Sequence, residues 1–91
     1  MTNIHMIASG KVQGVGFRVA AQQKATQLGI NGWVKNLSSG EVEIEAEGEP
    51  EQLDKFVEII RQGPHPFIKV SNLDITKSEK EKGYHSFKVK Y

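Results

Sequence analysis

No cysteine occurs in these 91 residues, which removes disulfides, thiolate catalysis and cysteine-ligated metal sites together. No stretch approaches eighteen consecutive apolar residues, and no charged N-terminal segment leads into a long apolar run, so neither a membrane span nor a secretory leader is expected. Charge of one sign is also missing. Twelve basic and eleven acidic residues leave a net +1, so no global field gathers nucleic acid or an anionic membrane, and any preference for an anion must be local. Histidine is sparse: His5, His65 and His85 lie on different elements without a paired spacing, and His65 sits between two prolines, so no metal and no other cofactor is expected. Ser9, Ser38 and Ser39 have no histidine neighbour in sequence to act as a base. What remains is a soluble cytoplasmic protein, expected to be a monomer, whose residues 1–91 form one domain with one core.

The pattern that is present gives an order of elements. Ile4, Met6 and Ala8 alternate with Asn3, His5 and Ser9 as a first strand ending near Gly10. Phe17, Ala21, Ala25 and Leu28 make a small-residue helical stripe, closed by Gly29 with Ile30 packing back on the last turn. A short strand, Gly32 to Leu37, turns through Ser38-Ser39-Gly40 into Glu41 to Glu47. There Val42, Ile44 and Ala46 face a core, and the four glutamates are expected to face water. A three-residue turn with Gly40 left-handed would pair Leu37 with Glu41, Lys35 with Glu43 and Trp33 with Glu45, placing Asn36 on the same face as Val34. Pro50, the stripe Leu53, Phe56, Val57, Ile60 and the stop Gly63-Pro64 bound a second helix. Phe67 to Thr76 is strand-like, but Ile68 and Val70 are out of phase with Leu73 and Ile75, so a bulge near Ser71-Asn72 is expected. Lys77 to Gly83 reads as a charged loop, and Phe87, Val89 and Tyr91 alternate as a last strand.

This order predicts an α+β fold, a ferredoxin-like split βαββαβ sandwich with a mostly antiparallel sheet, two helices on one face and an extra C-terminal strand. In that topology the first and second strands run parallel with the third between them. Their C-terminal ends share one edge of the sheet roughly 10 Å apart, which brings the loop after Ser9 and the side chain of Asn36 to one corner.

That loop carries the candidate chemistry. Gly10-Lys11-Val12-Gln13-Gly14-Val15-Gly16-Phe17-Arg18 joins a strand to a helix with three glycines in seven residues. Glycines tolerate positive φ and carry no Cβ, so successive N–H groups can turn inward as an anion-binding concavity beside the positive end of the helix. Arg18 adds a planar fork of donors. The spacing is neither the Walker pattern nor the dinucleotide fingerprint.

Together with Gly32-Trp33-Val34-Lys35-Asn36, this string resembles the acylphosphatase family, small enzymes that hydrolyse the carboxyl–phosphate bond of acyl phosphates. The resemblance extends over nearly the whole chain, including Glu47-Gly48 before the second helix and Gly63-Pro64 after it. It implies a small-molecule acyl phosphate substrate whose phosphate is held by Gly10, Lys11, Val12, Gln13, Gly14, Val15 and Gly16 and clamped by Arg18, with Asn36 positioning the attacking water. Val19 and Ala20 stand where the family often has aromatics, and Ser39 where it often has an acid.

The residue set suits that chemistry. A carboxylate leaving group, with a conjugate acid of pKa about 4, needs little proton donation, and phosphoryl transfer depends chiefly on positioning and charge stabilisation. A noncatalytic regulatory domain binding a small anion through the same loop is the alternative. Glutamates at Glu41, Glu43, Glu45 and Glu47 disfavour an RNA-binding sheet.

Overall fold

A computed structural model describes residues 1–91. The elements are β1 (Thr2–Lys11), α1 (Phe17–Gln27), β2 (Asn31–Asn36), β3 (Val42–Gly48), α2 (Pro50–Gln62), β4 (Lys69–Ser78) and β5 (Phe87–Lys90). They form one sheet in the order β4-β1-β3-β2-β5. Every neighbouring pair is antiparallel except β2 and β5. The extra strand therefore extends the sheet beside β2 as a parallel edge, and the arrangement is the expected ferredoxin-like split sheet.

Both helices bury their apolar stripes in one core. Phe17, Ala21 and Ala25 of α1 and Leu53, Phe56 and Ile60 of α2 join the inward residues Ile4, Met6, Val34 and Ile44 in a single cluster. Phe56 meets Phe87 edge to face, with ring centroids 5.9 Å apart at 71°. This ties the last strand to α2, and truncating Phe56 to alanine at that contact costs about 3–5 kcal/mol.

The hairpin between β2 and β3 has the anticipated register, with Trp33 opposite Glu45, Lys35 opposite Glu43 and the Leu37 N–H donating to the Glu41 carbonyl. The anticipated bulge is present as well. Ser9 pairs with Asn72 and Gly10 with Val70, which leaves Ser71 unpaired and turns Ile68, Leu73 and Ile75 toward the core. Gly10 lies against this irregularity at φ 121°, where a Cβ would come within 2.3 Å of the Lys69 carbonyl oxygen.

The edge strand β4 departs from expectation: it runs Lys69–Ser78, so Phe67 and Ile68 precede it and Lys77 and Ser78 pair with β1. The four glutamates of β3 do not all face water: Glu45 is 5% exposed and Glu47 1%. The segment following β4, expected as a solvated charged loop, folds back over the outer face of the sheet. The backbone N–H groups of Lys82, Gly83 and Tyr84 donate to the Glu47 carboxylate, which Asn3 also meets. Period-two alternation identifies which residues share the outer face, and gives no sign of what later lies on it.

Candidate active site

The loop between β1 and α1 leaves the sheet at Lys11 and turns through Gly14 at φ 73° and Gly16 at φ 77°, both left-handed. Gly16 is the residue immediately before α1, and no side chain caps that helix end. None of the backbone N–H groups from Gln13 to Val19 donates to a carbonyl or side chain of the protein. A run of amides ending at an uncapped helix N-terminus concentrates partial positive charge, and no acidic residue stands in the first turn to neutralise it.

Two residues fix this loop against its surroundings. Val12 drops its side chain into the core at 1% exposure. Gln13 Nε2 donates to the carbonyls of both Leu37 and Glu41 at 2.8 Å, pinning the loop to the β2–β3 hairpin. That contact couples the glycine loop to the strand end that carries Asn36.

A cleft of about 130 Å³ opens where these parts meet, lined by Gly14, Gly16, Arg18 and Val19 on one side, Asn36 at the end of β2, and Val89 and Tyr91 at the end of the chain. Arg18 and Asn36, far apart in sequence, are thus on one cleft. Arg18 Nη1 donates to the Lys90 carbonyl at 3.0 Å, and its guanidinium carbon lies 4.5 Å from the centre of the Tyr91 ring. The Asn36 amide makes no hydrogen bond within the protein, and no aspartate or glutamate lines the cleft.

Not every residue of the glycine string reaches this cleft. Gly10 and Lys11 are strand residues paired with Val70 and Lys69, and neither Gln13 nor Val15 lines the cavity with its side chain. Val89 and Tyr91 were not among the sequence candidates. Strand alternation in Phe87, Val89 and Tyr91 was visible, but nothing in it shows that the strand lies beside β2.

The titratable groups whose pKa departs from its ordinary value are elsewhere, on the outer face. The hydrogen bond between His5 Nε2 and Glu43 at 2.6 Å, with Lys35 nearby, holds the Glu43 carboxyl below its ordinary value. Burial pushes Glu45 and Glu47 upward, but it is outweighed at Glu45 by Tyr84 and Lys82, and at Glu47 by the Lys82 N–H, Asn3 and the Tyr84 and Gly83 N–H groups, so both carboxyls are lowered. Burial, together with the bond to Glu45, raises the Tyr84 phenol. The remaining histidines are also away from the cleft, with His65 stacked on Phe67 and His85 beside Trp33.

Comparison with known proteins bears on this arrangement. A family model described as Acylphosphatase matches residues 4–89. An acylphosphatase of Bacillus velezensis is 47% identical over 91 residues, covering 100% of both chains. The crystal structure of acylphosphatase from Bacillus subtilis superposes with a TM-score of 0.96 at 43% identity over 100% of both chains. An acylphosphatase structure from Coxiella burnetii gives 0.90 at 44% identity, covering 98% of this chain and 92% of that one. Since the match in sequence and in fold runs the length of the chain, the chain belongs to the acylphosphatase family.

Proposed function

We propose that this acylphosphatase holds the phosphoryl end of an acyl phosphate on the amides of the Gly10–Gly16 loop and the Arg18 guanidinium, while Asn36 orients the attacking water. The water oxygen bonds to phosphorus as the bond from phosphorus to the acyl oxygen breaks, and the electron pair leaves with the carboxylate. One water proton passes to a phosphoryl oxygen, and the other stays on the new hydroxyl of inorganic phosphate. No protein acid is needed, because the departing carboxylate is already a weak base.

The observation that carries this reading is the run of undonated N–H groups from Gln13 to Val19, of which Gly14 and Gly16 to Val19 line the same cleft as the free amide of Asn36. Amides and a guanidinium aimed at the equatorial oxygens stabilise charge that spreads there during transfer. The direct amide contacts come from Gln13 onward. Gly10 and Lys11 contribute by fixing where the loop leaves the sheet, and the Gln13 side chain by tying it to the hairpin. Arg18 takes the place that a cation fills in many phosphoryl-transfer enzymes, so the reaction runs without metal.

The working unit is the single domain of residues 1–91, a monomer acting in the cytoplasm on a small-molecule substrate, with no nucleic-acid or membrane partner. Hydrolysis of benzoyl phosphate set against p-nitrophenyl phosphate, before and after exhaustive chelation, tests the reading. Rapid hydrolysis of the first alone, unchanged by chelation, is expected. Comparable rates on both, or activity lost on chelation and restored by a divalent ion, contradict it.

A further inference from the structure

A second and larger cleft, of about 340 Å³, lies on the outer face of the sheet, between Trp33 of β2, Lys88 and Lys90 of β5 and the returning segment Gly83 to Ser86. The catalytic cleft is reached from the other face, beside Val89 and Asn36. We propose that this outer cleft binds a small planar aromatic anion, meaning an aromatic ring that carries a phosphate or carboxylate, with the ring on Trp33 and the charge on Lys88 and Lys90.

The indole is held as a rigid platform. Trp33 Nε1 donates to the Tyr84 hydroxyl at 3.1 Å, and that hydroxyl donates in turn to Glu45, which Lys82 also holds. The Asn31 amide and the Gly32 N–H fasten the carbonyls of Tyr84 and Ser86, so the far wall is anchored to the same strand. An aromatic face fixed in advance loses little entropy when a ring stacks on it.

Two of the charges around that platform, Lys88 and Lys90, lack an acidic partner. Lys88 lies beside Trp33 in the parallel pairing and Lys90 beside Lys35. Like charges placed opposite each other on one sheet face are destabilising, and an anion between them relieves the repulsion. Lys35 has Glu43 at 3.5 Å, whereas neither Lys88 nor Lys90 forms a salt bridge. The Lys90 ammonium stands 4.5 Å from the Trp33 ring centre and that of Lys35 5.4 Å. No acidic residue lines the cleft, and the nearest buried carboxylate, Glu45, is already occupied by Tyr84 and Lys82. Aromatic stacking and a phosphate or carboxylate are the two interactions these groups offer together, and the volume suits a small molecule.

Trp33 is the single tryptophan of the chain, so its fluorescence reports on this cleft directly. The full chain is titrated with adenosine monophosphate, adenosine and inorganic phosphate as separate probes, with correction for adenine absorption, and with Lys88→Glu and Lys88→Ala variants checked by circular dichroism. Saturable quenching by adenosine monophosphate at sub-millimolar concentration is expected, at least about tenfold weaker for either half alone and for Lys88→Glu, with hydrolysis of benzoyl phosphate by the Lys88 variants unchanged. The proposal is overturned if no saturable change appears, if phosphate alone reproduces it at the same concentration, or if the Lys88 variants bind as well as the parent.

Discussion

The Arg18 guanidinium donates through Nη1 to the backbone carbonyl of Lys90 at 3.0 Å, joining the first turn of α1 to the end of the chain. The Tyr91 ring lies 4.5 Å from the same guanidinium. One N–H of the fork is thus committed to the scaffold and one face to an aromatic ring, which leaves the other donors for phosphoryl oxygens. Lysine at this position can keep the charge but cannot make these contacts at once. Arg18→Lys should therefore retain no more than about a tenth of wild-type kcat/KM, close to Arg18→Ala. Recovery of more than half the activity by lysine, measured on benzoyl phosphate, would show that a point charge is sufficient.

Tyr91 is 98% exposed and lies past the end of β5, so its removal should hardly change stability. Tyr91→Ala should lower kcat/KM by a few-fold, the scale of an exposed cation–π contact of about 0.5–1 kcal/mol, while Tyr91→Phe keeps full activity because only the ring meets Arg18. Kinetics and thermal melts of the two variants, run side by side, separate a positioning role from loss of fold.

Gly14 and Gly16 adopt left-handed conformations in open space, with nothing within 4 Å of an added Cβ. Gly14→Ala therefore clashes with nothing and acts only through backbone preference, about 1–2 kcal/mol against the conformation that turns the amides inward. Inhibition by inorganic phosphate should weaken by about tenfold in Gly14→Ala and by less in Gly14→Asn, since asparagine tolerates this region better. Equal effects of the two substitutions would place the cause outside backbone conformation.

The register of the β2–β3 hairpin was legible because Glu41 to Glu47 alternates strictly and a three-residue turn permits few pairings. The bulge at Ser71 was legible because Ile68 and Val70 are out of step with Leu73 and Ile75. The fate of Glu45 and Glu47 was not: the segment that covers them, Glu79 to Ser86, has no period, Glu47 is met by backbone N–H groups that every residue but proline carries, and Glu45 by Tyr84 and Lys82 side chains whose partner no local pattern names. In sequence Gly10 groups with the loop glycines, whereas its close approach to the Lys69 carbonyl is a contact between β1 and β4 that no local pattern reports.

That covered carboxylate makes stability depend on pH. The folded state lowers the Glu47 carboxyl below its ordinary 4.5, so its contribution is fully present above that value and is lost as the pH falls through the folded value. Replacing Glu47 by alanine leaves the N–H groups of Lys82 to Tyr84 without their acceptor and should cost about 2–3 kcal/mol at neutral pH. Denaturant titrations should show the gap between wild type and Glu47→Ala narrowing as the pH is lowered from 6 toward 3, around the ordinary carboxylate range of about 4. A gap that does not change with pH would mean the carboxylate charge contributes nothing.

Asn36 bears the central claim, since its amide stands on the cleft without an internal partner while phosphate recognition is assigned to the loop amides and Arg18. Its loss should affect the water and spare the anion. The most direct measurement is turnover of benzoyl phosphate by Asn36→Ala together with its inhibition constant for inorganic phosphate, with circular dichroism to confirm the fold. The expected result is a fall in kcat of about a hundredfold or more with phosphate affinity within about twofold of wild type. Turnover that survives, or turnover and phosphate affinity lost in the same proportion, would contradict the assignment of Asn36 to the attacking water.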